Sequence, residues 1–122
     1  MEPSKKKQFV IQEHTTPEAV HWDLMLEMDD CLWTWRLNIP PAKIVNEPIS
    51  AERIHDHPLR FLTYEGPVQN GTGHVKIADQ GLYQITEQTE FSLAALFEGH
   101  IFSGTFGLCR LDEKKHWKLE KR

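Results

Sequence analysis

Three side chains near the start of the chain have the types and spacing of a metal centre. His21 and Asp23 stand two residues apart in the run VHWDLMLEM. In an extended strand alternate side chains leave from one face, so this imidazole and carboxylate project side by side. His14 closes the run FVIQEH, just before Thr15-Thr16-Pro17-Glu18, a turn that brings the chain back to the same place. Two imidazoles and one carboxylate suit Mn²⁺, Fe²⁺ or Zn²⁺ and leave positions open for water or substrate. A plain polar strand face has the same spacing, and the pattern alone leaves both readings open. His57 is the fourth candidate. It sits in Asp56-His57-Pro58-Leu59, where the proline restrains the backbone beside the imidazole, although an ordinary turn histidine fits as well. His55, His74, His100 and His116 carry no such pattern and read as surface or hydrogen-bonded residues.

Strands must position these side chains. Residues 9–14 read as a first strand, and Pro17 bars a continuous ladder beyond it. Residues 19–28 alternate with period 2: Trp22, Leu24, Leu26 and Met28 form a core face, opposite His21, Asp23, Met25 and Glu27. Asp29-Asp30 turns the chain into a second strand over 32–37, giving a hairpin over 20–37. A connection from Ile39-Pro40-Pro41 to Ser50 leads to a short strand over 53–57, stopped by Pro58. Glu65-Gly66-Pro67 and Asn70-Gly71-Thr72-Gly73 are turn signals. Further strands are expected over 74–79, 82–87, 89–96, 101–110 and 116–120, punctuated by Gly81, Gly99 and Gly104. Ala94 and Ala95 add a helical tendency over 93–97. The pattern predicts an all-β fold, a compact single-domain β-barrel of about eight short strands with little helix. Residues 1–7 are expected to be a flexible basic tail before a domain over 8–122.

Composition narrows the class. The 122 residues fit one domain, and 39% apolar content with four Trp and six Phe supplies a core without disulfides. Cys31 and Cys109 form no metal-type pair and read as two ordinary buried thiols. The formal charge is −4, but eight of the 14 basic residues lie at the two ends, in 5–7 and 114–122. Residues 8–113 hold six basic and 16 acidic residues, a balance of −10. So acidic a body argues against gripping a long duplex, where neutralised phosphates supply affinity. It suits a bound cation, or contact with one strand end. With no apolar run near the roughly 20 residues of a membrane span and no apolar signal core, the chain is expected to be a cytoplasmic monomer without a membrane partner.

The blocks FVIQEH and HWDLMLEMDDCLWTW resemble the opening signature of the 3′-phosphoesterase family found in bacterial DNA ligase D. There a strand ends in Gln-x-His, and the next begins His-aromatic-Asp-Phe-Arg-Leu-Glu before a turn and a Trp-containing strand. The resemblance runs on through DHPLRFLTYEGP, GTGHVKIADQGLY, the Gly104–Arg110 strand and the terminal WKLEK, nearly the whole chain in order. It implies a small β-barrel hydrolase, usually manganese-dependent, that removes a terminal ribonucleoside and then a 3′-phosphate from DNA or RNA–DNA ends in DNA repair. By position, His14, His21 and Asp23 match the metal ligands, and His57 matches the histidine that contacts the scissile phosphate. Glu27 matches a carboxylate with no assigned role. The resemblance also implies partnership with a separate DNA ligase or polymerase.

Two departures bear on activity. Met25 stands in place of the family's arginine, and Phe61 in place of a phosphate-contacting tyrosine. An arginine fork clamps phosphate through charge and paired hydrogen bonds, and methionine offers neither. Arg60 and Arg36 are the candidate replacements. The His14–His21 interval is one residue longer than the family pattern, and the loop after Glu65-Gly66-Pro67 is shorter. The expected function is a metal-dependent 3′-phosphoesterase, with Mn²⁺ as the first choice and Zn²⁺ or Fe²⁺ as alternatives. A catalytically weakened module that binds nucleic-acid ends or a partner, while retaining the metal site, is the competing reading. A mononuclear iron oxygenase also uses His-x-Asp with a distant His on a β-barrel. A barrel without any site is the remaining alternative.

Overall fold

The alternation read over 19–28 recurs around the chain as one antiparallel sheet, described for residues 5–68 and 73–122 in a computed structural model. The strands are β1 (Lys7–Thr15), β2 (Val20–Met28), β3 (Cys31–Leu37), β4 (Ile49–His57), β5 (Gly66–Val68), β6 (Gly73–Gln88), β7 (Ser92–Gly99), β8 (Ser103–Arg110) and β9 (His116–Lys121). Their order is β1-β2-β3-β4-β9-β8-β7-β6-β5. An additional β1–β6 pairing closes the first eight of these into a barrel. The three-residue β5 pairs only with the start of β6, on the edge that β7 occupies farther along. Two 3₁₀ turns, Pro41–Lys43 and Leu59–Leu62, are the only helical segments among the described residues.

An eight-stranded barrel is just wide enough for side chains to fill. Here Phe9, Tyr83, Phe97, Phe102 and Phe106 pack ring against ring, with centroids 4.4–6.3 Å apart. Ile11, Leu24, Leu26, Trp35 and Leu119 complete a cluster from which solvent is excluded. The expected core face of β2 is thus confirmed, but its opposite face is not simply polar. Asp23 and Met25 are buried as well. Met25 joins Val10 and Leu32 in a second apolar cluster, covered by Phe61, Leu62 and Ile77. The segment from Pro58 to Val68 forms a roof over this outer face of β1, β2 and β3.

Several local expectations are corrected. Residues 74–79 and 82–87 form one strand, since Gly81 does not break β6. It lets β6 and β7 approach closely: a Cβ at Gly81 would lie 2.1 Å from the Glu98 carbonyl oxygen. Residues 93–97 are strand throughout, because burial of Ala94 and Ala95 between neighbouring strands overrides their helical preference. β4 starts at Ile49, earlier than expected, through pairing with β9. Cys31 and Cys109 are free thiols, half-buried and not fully enclosed. Lys7 lies within β1. Residues 1–4 of the expected tail and 70–72 of the Asn-Gly-Thr-Gly turn signal lie outside the described residues.

The Gly81 contact yields a prediction. Gly81→Ala forces backbone apart and is expected to cost about 1–3 kcal/mol, the usual range for overpacking. Gly107→Ala is the control: the atoms nearest its Cβ belong to the flexible Arg122 side chain, so stability should change little. Urea denaturation of both variants reads the difference. Equal midpoints would refute the close-approach role of Gly81.

Candidate metal centre

The register of β1, β2 and β3 assembles the site. His14 pairs with His21, and Asp23 pairs with Gln12 on one side and Arg36 on the other. His14 Nδ1 lies 2.9 Å from His21 Nε2, and His21 Nε2 lies 3.5 Å from Asp23 Oδ2. One ligand atom from each of His14, His21 and Asp23 falls within 4.8 Å of the others. His14 and Asp23 are buried and His21 is half-buried. Burial, then the neighbouring His21, holds the His14 pKa below 6.5, against the opposing pull of Asp23. That favours the neutral imidazole, the form able to ligate a metal. Two nitrogens and a carboxylate oxygen converging at this range fit a divalent transition metal by donor chemistry. The turn at Thr16, closed by hydrogen bonds with Ala19, provides the return from β1 to β2.

Arg36 takes a different position from a free phosphate clamp. Its Nε lies 3.4 Å from Asp23 Oδ1. The guanidinium therefore orients the carboxylate that faces the histidines. Glu27 lies away from the cavity, and its Oε1 accepts a hydrogen bond from the Gln8 backbone N–H at 2.8 Å. Its matched position therefore carries a structural contact at the far end of the β1–β2 pair.

His57 approaches from β4 into the same hollow. Two residues of β4, 55 and 56, stand opposite Trp33 alone, and this irregularity brings His57 beside Thr34. Thr34 Oγ1 donates to the Leu32 carbonyl at 3.1 Å and lies 2.9 Å from His57 Nδ1. With its own hydrogen directed at Leu32, the hydroxyl accepts from Nδ1–H. Burial lowers the His57 pKa, and His55 adds to the effect. His55 stacks on His57 with centroids 4.6 Å apart. By sequence alone it reads as a lone histidine, and its place two residues before His57 is the signal that links the two.

A cavity of about 610 Å³ connects these groups and is lined by His14, Asp23, Met25, His57, Arg60 and Phe61 among others. Two polar side chains, Gln12 and Glu65, hold the roof down. Gln12 Nε2 donates to the carbonyls of Phe61 and Tyr64 at 2.9 and 3.1 Å. Glu65 Oε2 accepts from the Ile77 N–H at 2.9 Å, where Ala78 is an extra residue in β6 that interrupts its pairing with β1. Phe61 presents its ring to His57 edge-on at 5.6 Å. Arg60 places its guanidinium carbon 4.8 Å from the Phe61 ring centre and 5.5 Å from that of Tyr64. His14 Nε2 is buried without a hydrogen-bond partner among the described residues. A Cβ at Gly73 would stand 2.6 Å from that nitrogen, so only glycine fits against this ring.

A family model described as the DNA Ligase D 3′-phosphoesterase domain matches residues 12–110. The chain is similar to the multifunctional non-homologous end joining DNA repair protein LigD of Mycobacterium tuberculosis, at 40% identity over 80 residues. The corresponding Mycolicibacterium smegmatis protein is 35% identical over 81 residues. Each match covers 62% of this chain and 10% of the relative. A similar protein of Pseudomonas aeruginosa is 25% identical over 126 residues, covering 93% of this chain and 15% of the relative. The chain thus spans about a tenth of the length of the mycobacterial relatives it matches.

Gln12→Ala leaves two roof carbonyls without their donor and should destabilise the fold by about 1–3 kcal/mol, measured by urea unfolding. An unchanged midpoint would remove Gln12 from the role of roof anchor. A second prediction concerns pH. His14 and His57 have folded-state pKa values below the 6.5 of the unfolded chain. Below pH 6.5 the unfolded state therefore binds more protons, and stability falls as pH drops towards the lowered folded values. In denaturation series at pH 7.5 and 5.5, His57→Gln should lose less stability between the two than the parent. An identical loss would contradict the assignment.

Proposed function

Since the chain belongs to the DNA ligase D 3′-phosphoesterase domain family, we propose that it is a metal-dependent 3′-phosphoesterase acting on 3′ ends of DNA or RNA–DNA strands in DNA repair. The observation that carries this reading is the convergence of His14, His21 and Asp23 on one point, with His57 lining the same cavity. His14, His21 and Asp23 would hold the ion, Mn²⁺ being the first choice. When bound, such an ion polarises a phosphate oxygen and lowers the pKa of a coordinated water. Arg36 orients the Asp23 carboxylate. Thr34 fixes the His57 ring so that Nε2 faces the substrate side. An arriving phosphate favours the charged imidazole, which then donates Nε2–H to a phosphate oxygen or to the leaving oxygen. The roof limits water around this pair. A separate ligase or polymerase would use the resulting 3′-hydroxyl.

One observation favours the weaker, binding-only reading. Met25 packs in an apolar cluster at the floor of the cavity, and Phe61 sets a hydrocarbon ring against His57. Neither supplies the phosphate contact that the family resemblance implies at its position. Loss of one donor that acts in the transition state typically costs about 10²–10³ in rate.

Turnover of a 3′-phosphate-ended primer with Mn²⁺ tests the proposal, alongside calorimetric titration of Mn²⁺. Asp23→Asn should weaken Mn²⁺ binding by more than the roughly 10–100-fold typical for loss of an outer partner. His57→Ala should keep Mn²⁺ affinity and lower kcat by about 10²–10⁴. Tight Mn²⁺ binding with zero product would support the binding module instead. No Mn²⁺ binding would reject the metal site.

A further inference from the structure

We propose that the Arg60–Phe61–Tyr64 wall of the cavity is a stacking site for the terminal nucleobase of the strand end, and so sets which ends the protein recognises. This inference rests on the phosphoesterase reading for the identity of the strand, but its test reads binding alone. The three side chains gather planar groups in one wall: Arg60 lies over both rings, and Phe61 and Tyr64 meet edge-to-face with centroids 5.5 Å apart. Arginine planes and aromatic faces are the surfaces on which unpaired bases stack. The wall is continuous with the candidate centre, since Phe61 touches His57 and both line one cavity with His14 and Asp23.

The charge of the cavity points to a neutral planar group. Among its described lining residues Arg60 is the sole lysine or arginine, while Asp23 and Asp56 are acidic. Met25, Val68 and Val75 add apolar surface. A second phosphate here would find one cation, already stacked on two rings, and two carboxylates. A base finds flat faces and apolar edges. At about 610 Å³ the space falls within the range of small-molecule pockets and suits one nucleoside, not a continuing strand. Gln12 grips the backbone of both aromatic residues, so the wall is formed before a ligand arrives.

The full-length chain would be titrated, in EDTA buffer to suppress cleavage, with two fluorescent strands of identical sequence. One ends in a ribonucleotide and the other in an abasic ribose. Fluorescence polarisation should show the base-bearing end binding about 5- to 150-fold more tightly, the span that one stacked base is worth. Phe61→Leu keeps an apolar side chain but removes a ring, and should narrow that ratio. Equal affinity of the two strands would overturn the stacking site, whatever the turnover assay gives. A preference for the base-bearing end with no turnover in Mn²⁺ would uphold the stacking site and reject the esterase reading.

Discussion

β1 is hydrogen-bonded along both edges, to β2 and to β6, and the rest of the structure depends on that double pairing. It closes the barrel, while the core and the roof bury the strand's two faces. Phe9 and Ile11 point into the core, whereas Val10, Gln12 and His14 point to the outer face. Each outward residue has its own task. Val10 floors the second apolar cluster, Gln12 ties down the roof, and His14 enters the candidate metal centre. A slip of one residue would exchange the two sets and destroy core and site together.

The outer face is built on a disturbance of the sheet. At the extra residue Ala78, β6 departs from simple pairing with β1, and Glu65 of the roof takes up the Ile77 N–H there. A second irregularity, on β4, brings His57 to Thr34. Both places leave the regular ladder: the first anchors the roof and the second brings His57 to the cavity wall. Irregularities of this kind commonly redirect side chains beside functional sites.

Electrostatics and packing act together in the hollow. Arg36 faces Asp23 while the floor at Met25 is apolar. Burial keeps His14 and His57 towards their neutral forms. The acidic balance over residues 8–113 is partly neutralised locally, through pairs such as Lys76 with Glu13 and Lys115 with Glu52. These pairs are at the surface and contribute little stability. A large basic surface is therefore not the source of recognition in the proposed function.

The alternation of β2, and hence the shared face of His21 and Asp23, is legible in the sequence, because a strand's side-chain period is a local property. So is the β2–β3 hairpin at Asp29-Asp30, where Asp29 takes φ 27, a conformation that aspartate tolerates. The all-β class followed from repeated turns and apolar alternation. Tertiary packing, by contrast, settles that Met25 is covered by the roof. It also turned residues 93–97 from helical tendency to strand. Those outcomes depend on β6, β8 and the 58–68 roof, which are far away in sequence. No local pattern encodes which strand edges meet when a barrel closes. Gln12 meets Phe61 and Tyr64 across 49 and 52 residues of sequence, which no local pattern specifies, whereas His55 and His57 meet within one strand.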